Sequence, residues 1–138
     1  MTIRSDTRIS LAWKGDLSFA AAAGAHEIAV DGNASEGISP VQLLAVSLAG
    51  CMATDVAHIL TRARQPLRSL TVTLEAERAD REPRRFVRVA IRFAVGGEVA
   101  PAQLDRAIAL SRDKYCSVWH TLRPDLPLEI ATAITPAE

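Results

Sequence analysis

Ser39-Pro40-Val41-Gln42-Leu43-Leu44-Ala45-Val46-Ser47-Leu48-Ala49-Gly50-Cys51 opens the longest apolar stretch of the chain, and its reading decides the fold. Ser39 can cap a helix, Pro40 suits the first helical position, and Gln42 can reach back to complete a capping box. From Leu43 to Leu60 nearly every face is apolar, so the expectation is a long helix buried on most sides. It should end near Arg64-Gln65-Pro66. On its N-terminal side, Ile9 to Trp13 alternates, Lys14-Gly15-Asp16 supplies turn chemistry, and Leu17 to Ala22 resumes the extended pattern. His26 to Val30 reads as a third strand, and the stretch from Asp31 to Ser39 as a loop.

On the other side, Leu70, Val72, Leu74 and Ala76 alternate with Thr and Glu, and Val87, Val89, Ile91, Phe93 and Val95 repeat the period. The charged run Asp80 to Arg85 reads as a solvated hairpin turn between them. Pro101 to Lys114 reads as a second helix, Ser117 to Leu122 as a further helical turn, and Leu128 to Ile134 as a final strand. The order makes the fold class α+β, with two three-stranded sheets about one long helix. So little sheet cannot cover a mostly apolar helix in a monomer, which points to a homodimer.

The chain has 138 residues and a mass of 14.8 kDa, read as a single domain spanning 1–138. Its 16 basic and 16 acidic residues cancel, and aromatics make up only 4%, so nucleic acid is not expected as a partner. No apolar segment follows the charged Met1 to Arg8, and Leu43 to Ala53 is too short to span a bilayer, so no membrane role and a cytoplasmic location are expected. In a reducing compartment, two cysteines are more often free, catalytic or redox-active than a permanent crosslink. Their chemistry is the main question.

Cys51 lies twelve residues beyond Ser39, out of reach of the helix N-terminal dipole. Asp55, His58 and Arg62 fall on the same stripe at i+4, i+7 and i+11. His58 and Arg62 lie too far along the axis to touch the thiol and can instead solvate the helix C-terminus. Asp55 needs a partner in an apolar helix, and by itself it opposes thiolate formation at Cys51. Cys116 stands near a short helix start, with Lys114 close in sequence and His120 at i+4, which could favour its thiolate. A metal site would have to use Cys51, Cys116, His58 and His120, but there is no CxxC or HxxxH pair and no metal is expected.

The stretch Ser39 to Cys51, then Asp55-Val56, and Leu110-Ser111-Arg112-Asp113-Lys114-Tyr115-Cys116-Ser117-Val118, together resemble the OsmC/Ohr family, and within it the YhfA-like branch. The resemblance covers nearly the whole chain, including strand order and the spacing of the two cysteines. It implies two small antiparallel sheets around a central helix in an intertwined homodimer, with two sites formed between subunits. It also implies a thiol peroxidase: Cys51 attacks an organic hydroperoxide, Cys116 resolves the sulfenic acid, and an external dithiol reduces the disulfide without a bound cofactor. The resemblance departs at Val41, where peroxidase members carry glutamate, and in the first hairpin, where only Lys14 stands for their arginine. Gln42 and Lys14 are therefore auxiliary candidates, with Asp55, His58 and His120. Leu43, Leu44, Leu48, Met52 and Trp119 are expected to wall an apolar site. The competing reading is a non-enzymatic dimer that binds an apolar small molecule in its interface cleft.

Overall fold

A computed structural model describes residues 2–137; Met1 and Glu138, the outermost residues of the expected domain, lie outside the described residues. The chain forms two compact units, Met1–Leu44 and Ala45–Glu138.

In the first unit, β1 (Ser10–Gly15), β2 (Ser18–Ala23) and β3 (His26–Asp31) form an antiparallel meander in the order β1-β2-β3. The turn chemistry read at residues 14–16 is used: Gly15 and Asp16 both take positive φ. After β3 the chain is held by one buried carboxylate. Asp31 Oδ1 accepts from the Asn33 backbone N–H, and Oδ2 accepts from the Ser35 hydroxyl and the Glu36 backbone N–H. The backbone donors at Asn33 and Glu36 hold the Asp31 pKa below its ordinary value, against the opposing effect of burial. The capping box is also formed. The Gln42 N–H donates to Ser39 Oγ at 3.1 Å, and the Ser39 N–H donates to Gln42 Oε1 at 2.9 Å.

The helix α1 (Pro40–Arg62) runs on into the second unit. It closes where Arg64 turns to positive φ, with the Arg64 N–H donating to the Thr61 carbonyl and the Gln65 N–H to that of Leu60. It is 23 residues long and holds an 18-residue window of mean hydropathy 1.7, long and apolar enough to cross a bilayer by length and composition alone, a test that the core helix of a soluble protein also passes. One expectation about α1 is corrected: it is not buried on most sides within one chain. Only Leu48, Met52, Val56 and Leu60, spaced by four on one stripe, are fully covered. A single sheet can cover only one face of a helix, and Val46 is left 53% exposed.

The second sheet takes the order β4-β5-β6, with β4 (Ser69–Arg78) antiparallel to β5 (Phe86–Gly96). The expected hairpin turn lies between them. The third strand, β6 (Leu128–Thr135), pairs parallel with β5 from Val89↔Leu128 to Gly96↔Thr135. The sheet is therefore mixed and not wholly antiparallel as expected. The reason is the connection: a helical segment between β5 and β6 carries the chain back across the sheet, so β6 starts at the same end as its neighbour.

The core joins the α1 stripe to Val89, Ile91, Phe93 and Val95 of β5 and to Leu104, Ala107 and Ile108 of α2 (Pro101–Leu110). Burying each such aliphatic or aromatic side chain is worth roughly 1.5–3 kcal/mol. Leu48 and Met52, expected as walls of a site, belong to this core.

Candidate functional site

The second helix does not run regularly to Lys114. It is α-helical to Leu110, and then Ser111–Tyr115 winds as a π turn in which the Cys116 N–H donates to the Ser111 carbonyl at 2.8 Å. One residue is thereby accommodated beyond an α-helical turn. Cys116 leaves the helix with extended φ/ψ and caps α3 (Ser117–Thr121), its Sγ accepting from the Trp119 backbone N–H at 3.3 Å.

This path brings Cys116 to α1. The sulfurs of Cys51 and Cys116 and a carboxylate oxygen of Asp55 all lie within 4.8 Å of one another. Both cysteines are free thiols, Cys51 half-buried and Cys116 fully buried. The partner that Asp55 requires is Ser111, a buried hydroxyl that donates to Asp55 Oδ2 at 2.8 Å. Sequence reading missed Ser111. Its signal is faint: a serine at a helical position whose neighbours Leu104, Ala107 and Ile108 face the core.

The electrostatics overturn one expectation. The short-helix start was expected to favour the Cys116 thiolate, but burial pushes its thiol up to about 11. The Trp119 N–H opposes that rise. Cys51, by hydrogen bonding and by charge, and Asp55, by charge, add to it. Cys116 therefore keeps its proton at neutral pH.

The other candidates lie elsewhere. His58 is exposed one turn beyond Asp55. His120 is exposed on α3, where its charge helps to lower the pKa of Asp113, behind the larger effect of Arg112. Lys14 is exposed on β1, and the Gln42 side chain is engaged in the helix cap. Neither histidine joins the sulfur cluster, so the competing metal quartet of Cys51, Cys116, His58 and His120 is not assembled. Among the described residues, Cys51, Asp55 and Cys116 form the group that could hold a metal ion. Two thiols and one carboxylate would suit zinc only with an outside fourth ligand and loss of the buried Cys116 proton.

The cluster is thus a vicinal dithiol in space, with a carboxylate beside it and a hydroxyl positioning that carboxylate. It can form an internal disulfide and be reopened by exchange. A family model described as "OsmC-like protein" matches residues 31–131. The chain is 37% identical over 109 residues to Protein YhfA of Escherichia coli strain K12, covering 77% of this chain and 81% of that one. A hypothetical protein from Aquifex aeolicus VF5 superimposes with a TM-score of 0.90 at 27% identity, covering 98% of this chain and 100% of that one. An organic hydroperoxide resistance protein OsmC, a predicted redox protein of Legionella pneumophila, shares the fold with a TM-score of 0.65 at 15% identity, covering 97% and 99% of the two chains.

Proposed function

From the premise that the chain belongs to the OsmC-like protein family, we propose that it is a thiol peroxidase that reduces organic hydroperoxides through Cys51 and Cys116. The family is linked to redox chemistry and hydroperoxide resistance. The observation that supports the finer reading is the approach of the two sulfurs to within 4.8 Å across 65 positions of sequence. The Cys51 thiolate attacks a peroxide oxygen, the O–O bond breaks, and the alcohol leaves with a proton. The Cys51 sulfenic acid then condenses with the Cys116 thiol, releasing water and forming a disulfide. Two electrons and two protons from an external thiol reductant restore the pair. A buried Cys116 that keeps its proton suits the resolving role, since it does not compete for the peroxide. A cytoplasmic setting, where such thiols stay reduced, belongs to this proposal.

The working form we propose is a homodimer. Val46, Gly50, Thr54 and Ala57 share the α1 face turned away from the buried stripe, and an added Cβ at Gly50 would meet open space. Small side chains there permit close approach of a second helix.

Cumene hydroperoxide consumption tests the reading. Cys51→Ser should abolish it, while Cys116→Ser should continue with a monothiol. One equivalent of oxidant should convert the wild type to an internal disulfide, two hydrogens lighter by mass. Consumption surviving in Cys51→Ser overturns the proposal. The non-enzymatic alternative has one observation in its favour, an apolar groove of about 330 Å3 in the first unit, lined by residues such as Ile9, Leu11, Ile28, Val30 and Leu43. Native mass spectrometry showing a retained apolar ligand, together with thiols inert to peroxide, would select that alternative.

A further inference from the structure

Next to the sulfur cluster, within the same unit, lies a cleft of about 630 Å3, in the size range of small-molecule sites. Arg62, from the last turn of α1, and Arg106, from α2, both line it, with His58 between Arg62 and Asp55 along the helix. Among the described residues neither guanidinium has a hydrogen-bond or ion-pair partner. The one carboxylate in the lining, Asp55, accepts a hydrogen bond from Ser111. The cleft therefore offers two unpaired permanent cations against a single anion. The Lys114 ammonium lies 5.1 Å above the ring of Tyr115, itself a lining residue. Paired guanidinium forks in a small recess suit carboxylates.

The position of the cleft says which reactant it serves. Cys51 is not part of the lining. Leu110 and Tyr115 are, and they bracket the π turn that delivers Cys116. The cleft thus lies against both ends of that turn and touches the cluster through Asp55.

We propose that this cleft recognises the carboxylates of a small anionic thiol that reduces the Cys51–Cys116 disulfide. The proposal rests on the peroxidase reading above and puts two molecules of a monothiol in place of the dithiol that the family resemblance implies. One thiolate attacks the protein disulfide, giving a mixed disulfide and one protein thiolate. A second thiolate attacks the mixed disulfide, releasing the small-molecule disulfide and the other protein thiolate. The two protein thiolates gain the two protons that the small thiols gave up, and the two electrons pass from the small thiols to the protein.

The test uses the full chain, oxidised with one equivalent of diamide. Glutathione, with two carboxylates, is compared with glutathione diethyl ester, each rate divided by that thiol's rate on 2-hydroxyethyl disulfide. The expected normalised preference for the acid is about tenfold at low salt, shrinking several-fold at high salt. In Arg62→Gln/Arg106→Gln the ratio should fall toward one; should that variant fail to fold, the salt dependence of the wild type decides. Equal normalised rates, or a preference that persists in the double variant, overturn the proposal while leaving the peroxidase reading intact. Absence of any internal disulfide after diamide overturns both. A carboxylate preference found only in the peroxide half-reaction, with carboxylated hydroperoxides against their esters, assigns the cleft to the oxidant and also overturns the proposal.

Discussion

Replacing Asp55 by Asn should make the buried thiol measurably more acidic, and the size of the change follows from the geometry. The carboxylate oxygen lies no more than 4.8 Å from the Cys116 sulfur. A unit charge at that distance acts on a thiolate with about 0.9 kcal/mol at the dielectric of water and about 3.5 kcal/mol at an effective dielectric of about 20. Burial is the largest cause of the rise from 9.0 to about 11 and the Asp55 charge the smallest, so the water-like figure applies: removing the charge should lower the Cys116 pKa by about 0.6 unit, to roughly 10.4. Asn keeps an acceptor for the Ser111 hydroxyl, so the local frame should survive. The assay is the 13Cβ shift of labelled cysteine against pH in a Cys51→Ser background, with and without Asp55→Asn, which reads ionisation without requiring a reagent to reach the sulfur. Cys51 also raises the parent value, so the difference between the two proteins is the quantity that counts. A midpoint that stays in place or rises refutes the claim that the Asp55 charge acts on this sulfur.

Ser111→Ala should leave the Asp55 charge in place, removing its hydrogen bond at a cost of about 1–2 kcal/mol in urea unfolding; an unchanged unfolding midpoint would contradict this. Gly97, at φ +118°, has no room for a side chain, since an added Cβ would sit on the Pro66 carbonyl oxygen. Gly97→Ala should therefore lose at least ~1–3 kcal/mol by the same measurement. Asp31 has a lowered folded pKa, so its contribution is present above the unfolded value of 3.8 and is lost as pH falls through the folded one. Wild type should melt higher than Asp31→Asn at pH 7, with the gap closing in acid; a gap independent of pH would be inconsistent with this. Val46→Glu, on the exposed apolar face of α1, should shift sedimentation from dimer to monomer, whereas a wild type that is monomeric at micromolar concentration refutes the dimer.

The capping box and the two hairpins were legible because each is local: Ser39, Pro40 and Gln42 interact within one turn, and the alternation from Leu70 to Val95 states its own period. The parallel pairing of β6 was not, because strand direction depends on the connection and not on the strand's own residues. Nor was the exposure of α1. Its residues are apolar all round, and only the sheet's limited width shows that one stripe is covered. Asp55 was legible as a carboxylate needing a partner, but Ser111 could not be named, since the π turn that aims it has no period of its own. The approach of Cys116 to Cys51 followed from resemblance alone, because nothing local to either cysteine encodes a contact across 65 positions.

The widened turn at Ser111–Tyr115 also bears on how such a site can change. Excising one residue there would restore ordinary winding and swing everything downstream by about 100°, carrying the Cys116 sulfur off its bearing while every side chain elsewhere kept its identity. Whether the two sulfurs meet is therefore a matter of chain length as much as of chemistry. Kin of this protein that retain both sulfurs but differ by one residue in this turn would be its natural knockouts.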